Sequence, residues 1–493
     1  MFIIFVLLII TTRVVMFFNI NTYIDSDQPF MWIGASDYAK GLFYEPRFYG
    51  QNYNSFMEAF FAVPLLWLKV PVYYAVPLAT HIIFLFPFLF TASFLFFSGK
   101  KENALLVLAI VLCMTPAYDI LNSLPRGFVT GVFFGSFFVV TFLQPRKMKY
   151  FFLNILLLEI GYFINPNSII VSVPFLLFSL FTNYRERRFY LVLLAGLAFV
   201  YPLYTLFDQF YLDHPSYVIY GLQHSFSFDY FLQNITHPEQ AFGHINFFVE
   251  EQYLFLCLAV VLLAAALFKT NRMAFFAFAG FMVIVVLSLF SGKTREGSFW
   301  PFYSYSRMYL GIPLVICLFT TKLSFSRRPF IILIVPLTLI FSSYKLLSLK
   351  NKVAYHTMDS HAIGVHLVKL EKVRDAIDFY KGVCKKNKVD RLLISNTFWL
   401  NTYLAYGGPA VYNDFPNTEE TRSERRYKVW NGNKDKVFRS FVLISVASNF
   451  DKLTQSRSEF ECVRLDEYGL FLIKNNTLSN ASFISLVNKT ERL

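Results

Sequence analysis

The chain has 493 residues, 56% of them hydrophobic and 16% charged, with a mean hydropathy of +0.47. That usage, with apolar runs as long as a bilayer is thick, excludes an ordinary soluble domain and implies an α-helical polytopic membrane protein. The net charge of +13 does not require a nucleic-acid partner, because Lys and Arg gather in short loops, and the 61 Phe and 30 Tyr suit lipid-facing surfaces and interfacial belts.

Residues 2–20 are expected to be a retained first helix rather than a signal peptide, since the run contains Arg13 and lacks a small-residue cleavage site. Further apolar runs lie near 71–97, 104–118, 127–143, 150–164, 168–182, 189–206, 252–268, 274–290, 305–320 and 329–347, giving about 11 transmembrane helices. Basic residues at Lys100 and Lys101, at Arg146, Lys147 and Lys149, at Arg185, Arg187 and Arg188, at Lys269 and Arg272, and at Lys322, Arg327 and Arg328 fall in alternate connections. The positive-inside rule makes those loops and the amino terminus cytoplasmic, so loops 21–70, 207–251 and 291–304 and the tail lie outside.

Loop 21–70 holds the chain's unusual polar residues. Asp25 and Asp27 stand beside the end of the first helix, and Glu58 returns on a segment whose apolar residues follow helical spacing behind Ser55, as an interfacial helix would. Residues 27–40 suit a second such helix. Carboxylates just outside a span can work on a substrate held at the interface, although ordinary solvated loop acids have the same spacing.

Loop 207–251 contains His214, His224, His237 and His244, but their spacing matches no standard zinc pattern. From about residue 351 the chain changes to mixed charge with alternating apolar strands at Arg391–Ser395 and Phe441–Ser445 and a helix at Lys372–Lys385. This predicts an extracytoplasmic α/β domain over 351–493 after a membrane domain over 1–350. Cys384 and Cys462 fall in that tail, where an oxidising compartment would let them pair.

The stretch Tyr49 to Ala59 reads YGQNYNSFMEA, and Asp27 is followed by Gln28 and Pro29. Together they resemble the first outer loop of GT-C class membrane glycosyltransferases, the bacterial relatives of dolichyl-phosphate-mannose-protein mannosyltransferases. That loop carries Asp-Glu-Ala and then Tyr-Gly-Gln-x-Tyr-x-Gly-Ser-Leu-Glu-Ala. Thr115 and Pro116 with Arg126 and Gly127, the turn at Asn165 and Pro166, the Arg307 to Tyr309 segment, and Phe398, Trp399, Tyr403 and Leu404 are similar to later parts of the family, in order.

The resemblance implies inverting transfer of a sugar from a polyprenyl-phosphate donor to a glycan, lipid or protein acceptor on the outer side of a bacterial inner membrane. It makes Asp27 the general base, with Asp25 and Glu58 as acceptor or metal support. Arg307, then Arg126, would face the lipid phosphate, with Lys293 and Arg295 guiding the donor; Tyr49, Gln51, Asn52, Tyr53 and Tyr309 would form the substrate pocket. Gln28 stands where the family has Glu, so a divalent metal, Mg or Mn, is an optional cofactor. A transporter or lipid-glycan flippase, and a catalytically silent GT-C-like binding protein, are the alternatives.

Overall fold

The structure, a computed structural model, describes all residues except 52, 218–219, 222–224, 251, 299, 326, 359–366, 422–426, 446–458, 467–468, 476 and 492–493. It is a helical membrane protein. Five described helices are long and apolar enough to cross a bilayer: Phe2–Ile20 (α1), Val72–Phe97, Pro166–Asn183, Arg187–Asp213 and Ile332–Thr357.

The other expected spans are helical but shorter or interrupted. Lys101–Cys113 stops before Pro116, which starts the separate helix Pro116–Leu121, because a proline ring disfavours helix in the residue before it. Thr130 to Leu143 passes through a tight 3-10 turn at Phe134–Phe137, and Met148–Ile164, Leu254–Thr270 and Arg272–Ser288 each have 17 residues. Arg187–Asp213 instead runs past its expected end at residue 206. Apolar side chains such as Leu191, Phe199 and Leu206 project from it exposed, as a lipid-facing surface would.

Arg13 explains how a cation is accommodated in α1. Its Nη2 meets Asp119 Oδ1 at 2.6 Å, and Lys345 Nζ meets the other carboxylate oxygen at 2.5 Å, all three being buried. The triad ties α1 to Pro116–Leu121 and to the helix Arg327–Met358. Breaking one such buried pair strands a charge, which typically costs about 3–5 kcal/mol.

Both segments expected in loop 21–70 to be interfacial helices are helical: Gln28–Ala39 (α2), with Asp27 at its cap position and Pro29 in its first turn, and Met57–Trp67 (α3); α2, however, is buried from Gln28 to Asp37 because the tail's core packs over it. Strand β1, Tyr23–Ile24, joins α1 to α2 and pairs antiparallel with β2, Val368–Lys369, from the tail. The helix through residue 350 continues to Met358, so the expected domain boundary falls inside a helix.

The tail's strands β3 (Arg391–Ile394), β4 (Asn417–Glu420), β5 (Ser440–Ile444), β6 (Phe460–Arg464) and β7 (Leu470–Asn475) form one sheet in the order β4-β3-β5-β7-β6. β3 is parallel to β4 and β5, whereas β7 is antiparallel to β5 and β6. Leu392, Ile394, Val442 and Ile444 pack on one face with Phe30, Trp32 and Tyr49 of loop 21–70; Leu393, Phe441, Leu443 and Phe471 form the other core with Phe483 and Val487. Cys384 belongs to the first core and Cys462 borders the second, so the sheet lies between them and they form no disulfide with each other.

Candidate functional site

A cavity of about 850 Å³ opens where loop 21–70, the turns at Arg126 and Asn165, the 291–308 segment and residues 396–403 converge. Asp25, Asp27, Gln51, Tyr53, Arg126, Lys293 and Arg307 all line it. Residues far apart in sequence thus meet beside loop 21–70.

The two aspartates do different things. Asp25 Oδ1 accepts the backbone N–H groups of Asp27 at 2.9 Å and Gln28 at 3.2 Å, fixing the entry to α2 in the manner of an N-cap. Burial raises its pKa against the opposing effect of Arg126. Asp27 is more open, its side chain 39% exposed against 3% for Asp25, and so is the carboxylate that a ligand in the cavity can reach.

Arg126 holds both carboxylates. Its Nε lies 3.2 Å from Asp25 Oδ2 and its Nη2 2.6 Å from Asp27 Oδ2, while the buried Nη1 has no hydrogen-bond partner among the described residues. The two acids raise its pKa. The guanidinium occupies the position between the carboxylates that a divalent cation would need, so this donor set does not fit Mg or Mn. No cluster of three candidate metal ligands occurs among the described residues.

Arg307 sits on a 3-10 turn, Tyr305–Tyr309, and donates from Nη1 to the Ser304 carbonyl at 2.8 Å. Its guanidinium lies 4.1 Å from the centre of the Tyr303 ring, and Arg126 lies 5.1 Å from the same ring. Arg307 is 5% exposed, burial lowers its pKa, and no carboxylate pairs with it among the described residues. Glu296 in the same wall acts on it from a distance without forming an ion pair, and a buried cation lacking a close acid is costly unless an anion arrives. Lys293 in the same wall is already engaged by Glu296 and lies 5.6 Å from the Tyr53 ring.

Set against family models, curated proteins and solved structures, the chain matches none of them.

Several expected site residues stand elsewhere. Glu58 is buried away from the cavity, where its Oε2 accepts the Gly127 N–H at 2.6 Å and its Oε1 the Thr80 hydroxyl at 3.2 Å. It holds the turn that carries Arg126 rather than meeting an acceptor or metal. Tyr49 donates to Asp37 Oδ2 at 2.8 Å, Tyr309 bonds Ser288 and packs on Phe242, and Arg295 donates to Gln240 at 2.6 Å. None of these three lines the cavity, because each is consumed in packing its own segment. Asn52 lies outside the described residues.

Among the histidines, His244 is buried against the Ser304 hydroxyl at 2.7 Å, His237 faces Glu239, and His224 lies outside the described residues. Cavity residues missed by the sequence reading include Tyr303, Asn396 and Thr402. Tyr303 has a left-handed φ of 69°, uncommon for a bulky residue and costing about 1–3 kcal/mol. No spacing in the sequence marks it.

Proposed function

We propose that this chain is an inverting membrane glycosyltransferase that moves a sugar from a polyprenyl-phosphate donor to an acceptor at the outer face of the membrane. The observation that carries this reading is the buried Arg307, which forms no ion pair among the described residues, in the same cavity as the open Asp27 carboxylate. A cation needing an anion and an accessible base are the two charges that phosphate departure and hydroxyl attack demand. The resemblance of residues 49–59 to the GT-C loop supports the same class.

On this reading Asp27 takes the proton of the acceptor hydroxyl as its oxygen forms a bond to the anomeric carbon. The bond from that carbon to the phosphate oxygen breaks on the opposite face, and its electrons leave with polyprenyl phosphate. Arg307 faces the charge that develops there, and the unpartnered Nη1 of Arg126 is a second donor. Arg126 also fixes Asp27, so attack requires the acceptor to enter beside that ion pair.

We also propose that the shorter helices cross the bilayer alongside the five long ones, giving about eleven crossings with the amino terminus cytoplasmic and the β3–β7 sheet outside. The test is transfer of labelled sugar from lipid phosphate to an acceptor in proteoliposomes. Asp27→Asn is expected to lower transfer by about 10²–10⁴-fold, the usual size of a general-base contribution. Full transfer by that variant sinks the assignment of Asp27. Labelled solute crossing the bilayer without any glycosylated product would favour the transporter instead.

A further inference from the structure

One wall of the cavity, residues 396–403, takes no part in the proposed proton and phosphate chemistry. It follows β3, whose parallel neighbours place β4 on one side and β5 on the other. The chain therefore leaves β3 in one direction for β4 and crosses to the opposite side for β5. Parallel sheets hold ligands in the crevice outside the carboxyl ends of their strands, at such a change of direction. The Ser395 N–H donates to the Ile444 carbonyl at 2.8 Å, keeping the ends of β3 and β5 together there.

Two side chains of this wall are left uncovered or unpaired among the described residues. Trp399 lines the cavity yet is 61% exposed, where a tryptophan is ordinarily well covered. Thr402 is buried beside it, and its hydroxyl has no hydrogen-bond partner among the described residues. The exposed Asn396 adds an amide to the same wall, whereas the amide of the buried Asn401 is taken up by the Asn396 carbonyl and the Thr402 N–H.

A flat aromatic face beside an amide and an unsatisfied hydroxyl is complementary to a sugar ring. Such a ring offers a patch of C–H groups to the indole and hydroxyls around its edge that both donate and accept. An acyl chain would leave the polar groups unpaired. We propose that residues 396–403 form the acceptor subsite and that the acceptor is a saccharide, stacked on Trp399 and hydrogen-bonded by Thr402 and Asn396. The word acceptor rests on the glycosyltransferase reading; saccharide recognition by this wall does not.

The test is saturation-transfer NMR on the full chain in detergent, with cellobiose, mannobiose, N,N′-diacetylchitobiose and a serine-containing peptide as probes at millimolar concentration. At least one disaccharide is expected to bind the unmodified chain and Trp399→Phe, with the signal reduced about fivefold or more in Trp399→Ala and Thr402→Val, as loss of a packed ring or of a hydrogen bond implies. Absence of disaccharide binding, equal binding by Trp399→Ala, or binding of the peptide alone overturns the proposal. Trp399-dependent disaccharide binding with full transfer by Asp27→Asn would refute the catalytic assignment and leave the subsite standing. Loss of transfer in Asp27→Asn with unchanged disaccharide binding in Trp399→Ala would do the reverse.

Discussion

Glu58 reads in the sequence as a free interfacial acid, but its carboxylate accepts the Gly127 N–H, and burial pushes its pKa up to about 8. Gly127 has a φ of 80°, so the turn behind Arg126 needs both a glycine and this acceptor. Glu58→Gln keeps an oxygen for that N–H and is expected to retain transfer. Glu58→Ala leaves the N–H unpaired at a cost of about 1–3 kcal/mol and loosens Arg126. If Glu58 acted as a proton-transfer group, Glu58→Gln would instead lose about 10²-fold or more in the same assay. The sign of its pH effect follows from its raised pKa: the folded chain keeps a proton that the unfolded chain releases above the ordinary value of 4.5. Its stabilising contribution is thus full below about pH 4.5 and falls as pH rises through about 8, a slope that thermal unfolding should show flattened in Glu58→Gln.

At the scale of elements, the cavity depends on close approach between short pieces of backbone. A Cβ built on Gly131, in the helix Thr130–Phe133, would lie 2.7 Å from the backbone nitrogen of Ser168 in the turn Pro166–Ser168. Backbone cannot move aside as a side-chain tip can. That turn is held by Asn165, whose Oδ1 accepts the Asn167 N–H at 2.8 Å and whose Nδ2 donates to the Gly127 carbonyl at 2.7 Å. Gly131→Ala should therefore destabilise the chain by about 1–3 kcal/mol and push the Asn165 turn toward the cavity. A lowered melting temperature together with weakened transfer is the expected result; an unchanged melting temperature would show that the two elements are not so tightly apposed.

For the whole molecule, the predicted membrane and outer parts share a core. Phe30 packs on Tyr406 at 3.9 Å between ring centres, Tyr49 on Tyr427 at 5.3 Å, and the Tyr427 hydroxyl reaches Asp37 Oδ2 at 3.2 Å. The β1–β2 pair adds backbone hydrogen bonds next to Asp25. Deleting 351–493 would uncover Phe30, Trp32 and Tyr49 together, a patch that favours aggregation. The chain 1–350 is expected to elute as aggregate in size-exclusion chromatography, and the full chain to unfold in one calorimetric transition. A monodisperse 1–350 fragment would contradict this shared-core account.

Hydropathy by itself determined the membrane class and where the five long helices lie, because length and apolar content are local properties that lipid enforces on a spanning segment. The helix at 57–67 was legible from its local apolar spacing, and the strands beginning at Arg391 and Phe441 from short apolar runs, although those strands are buried on both faces of the sheet and not on alternate residues. Asp27, Arg126 and Arg307 could be named from sequence, but not the sharing of Arg126 between Asp25 and Asp27, since that depends on contacts across most of the chain. Tertiary structure alone turned Glu58, Tyr49 and Tyr309 from the cavity and brought Tyr303, Trp399 and Thr402 into it. Burial and partner choice are set by which segments pack together, and no local pattern of residue types encodes that arrangement.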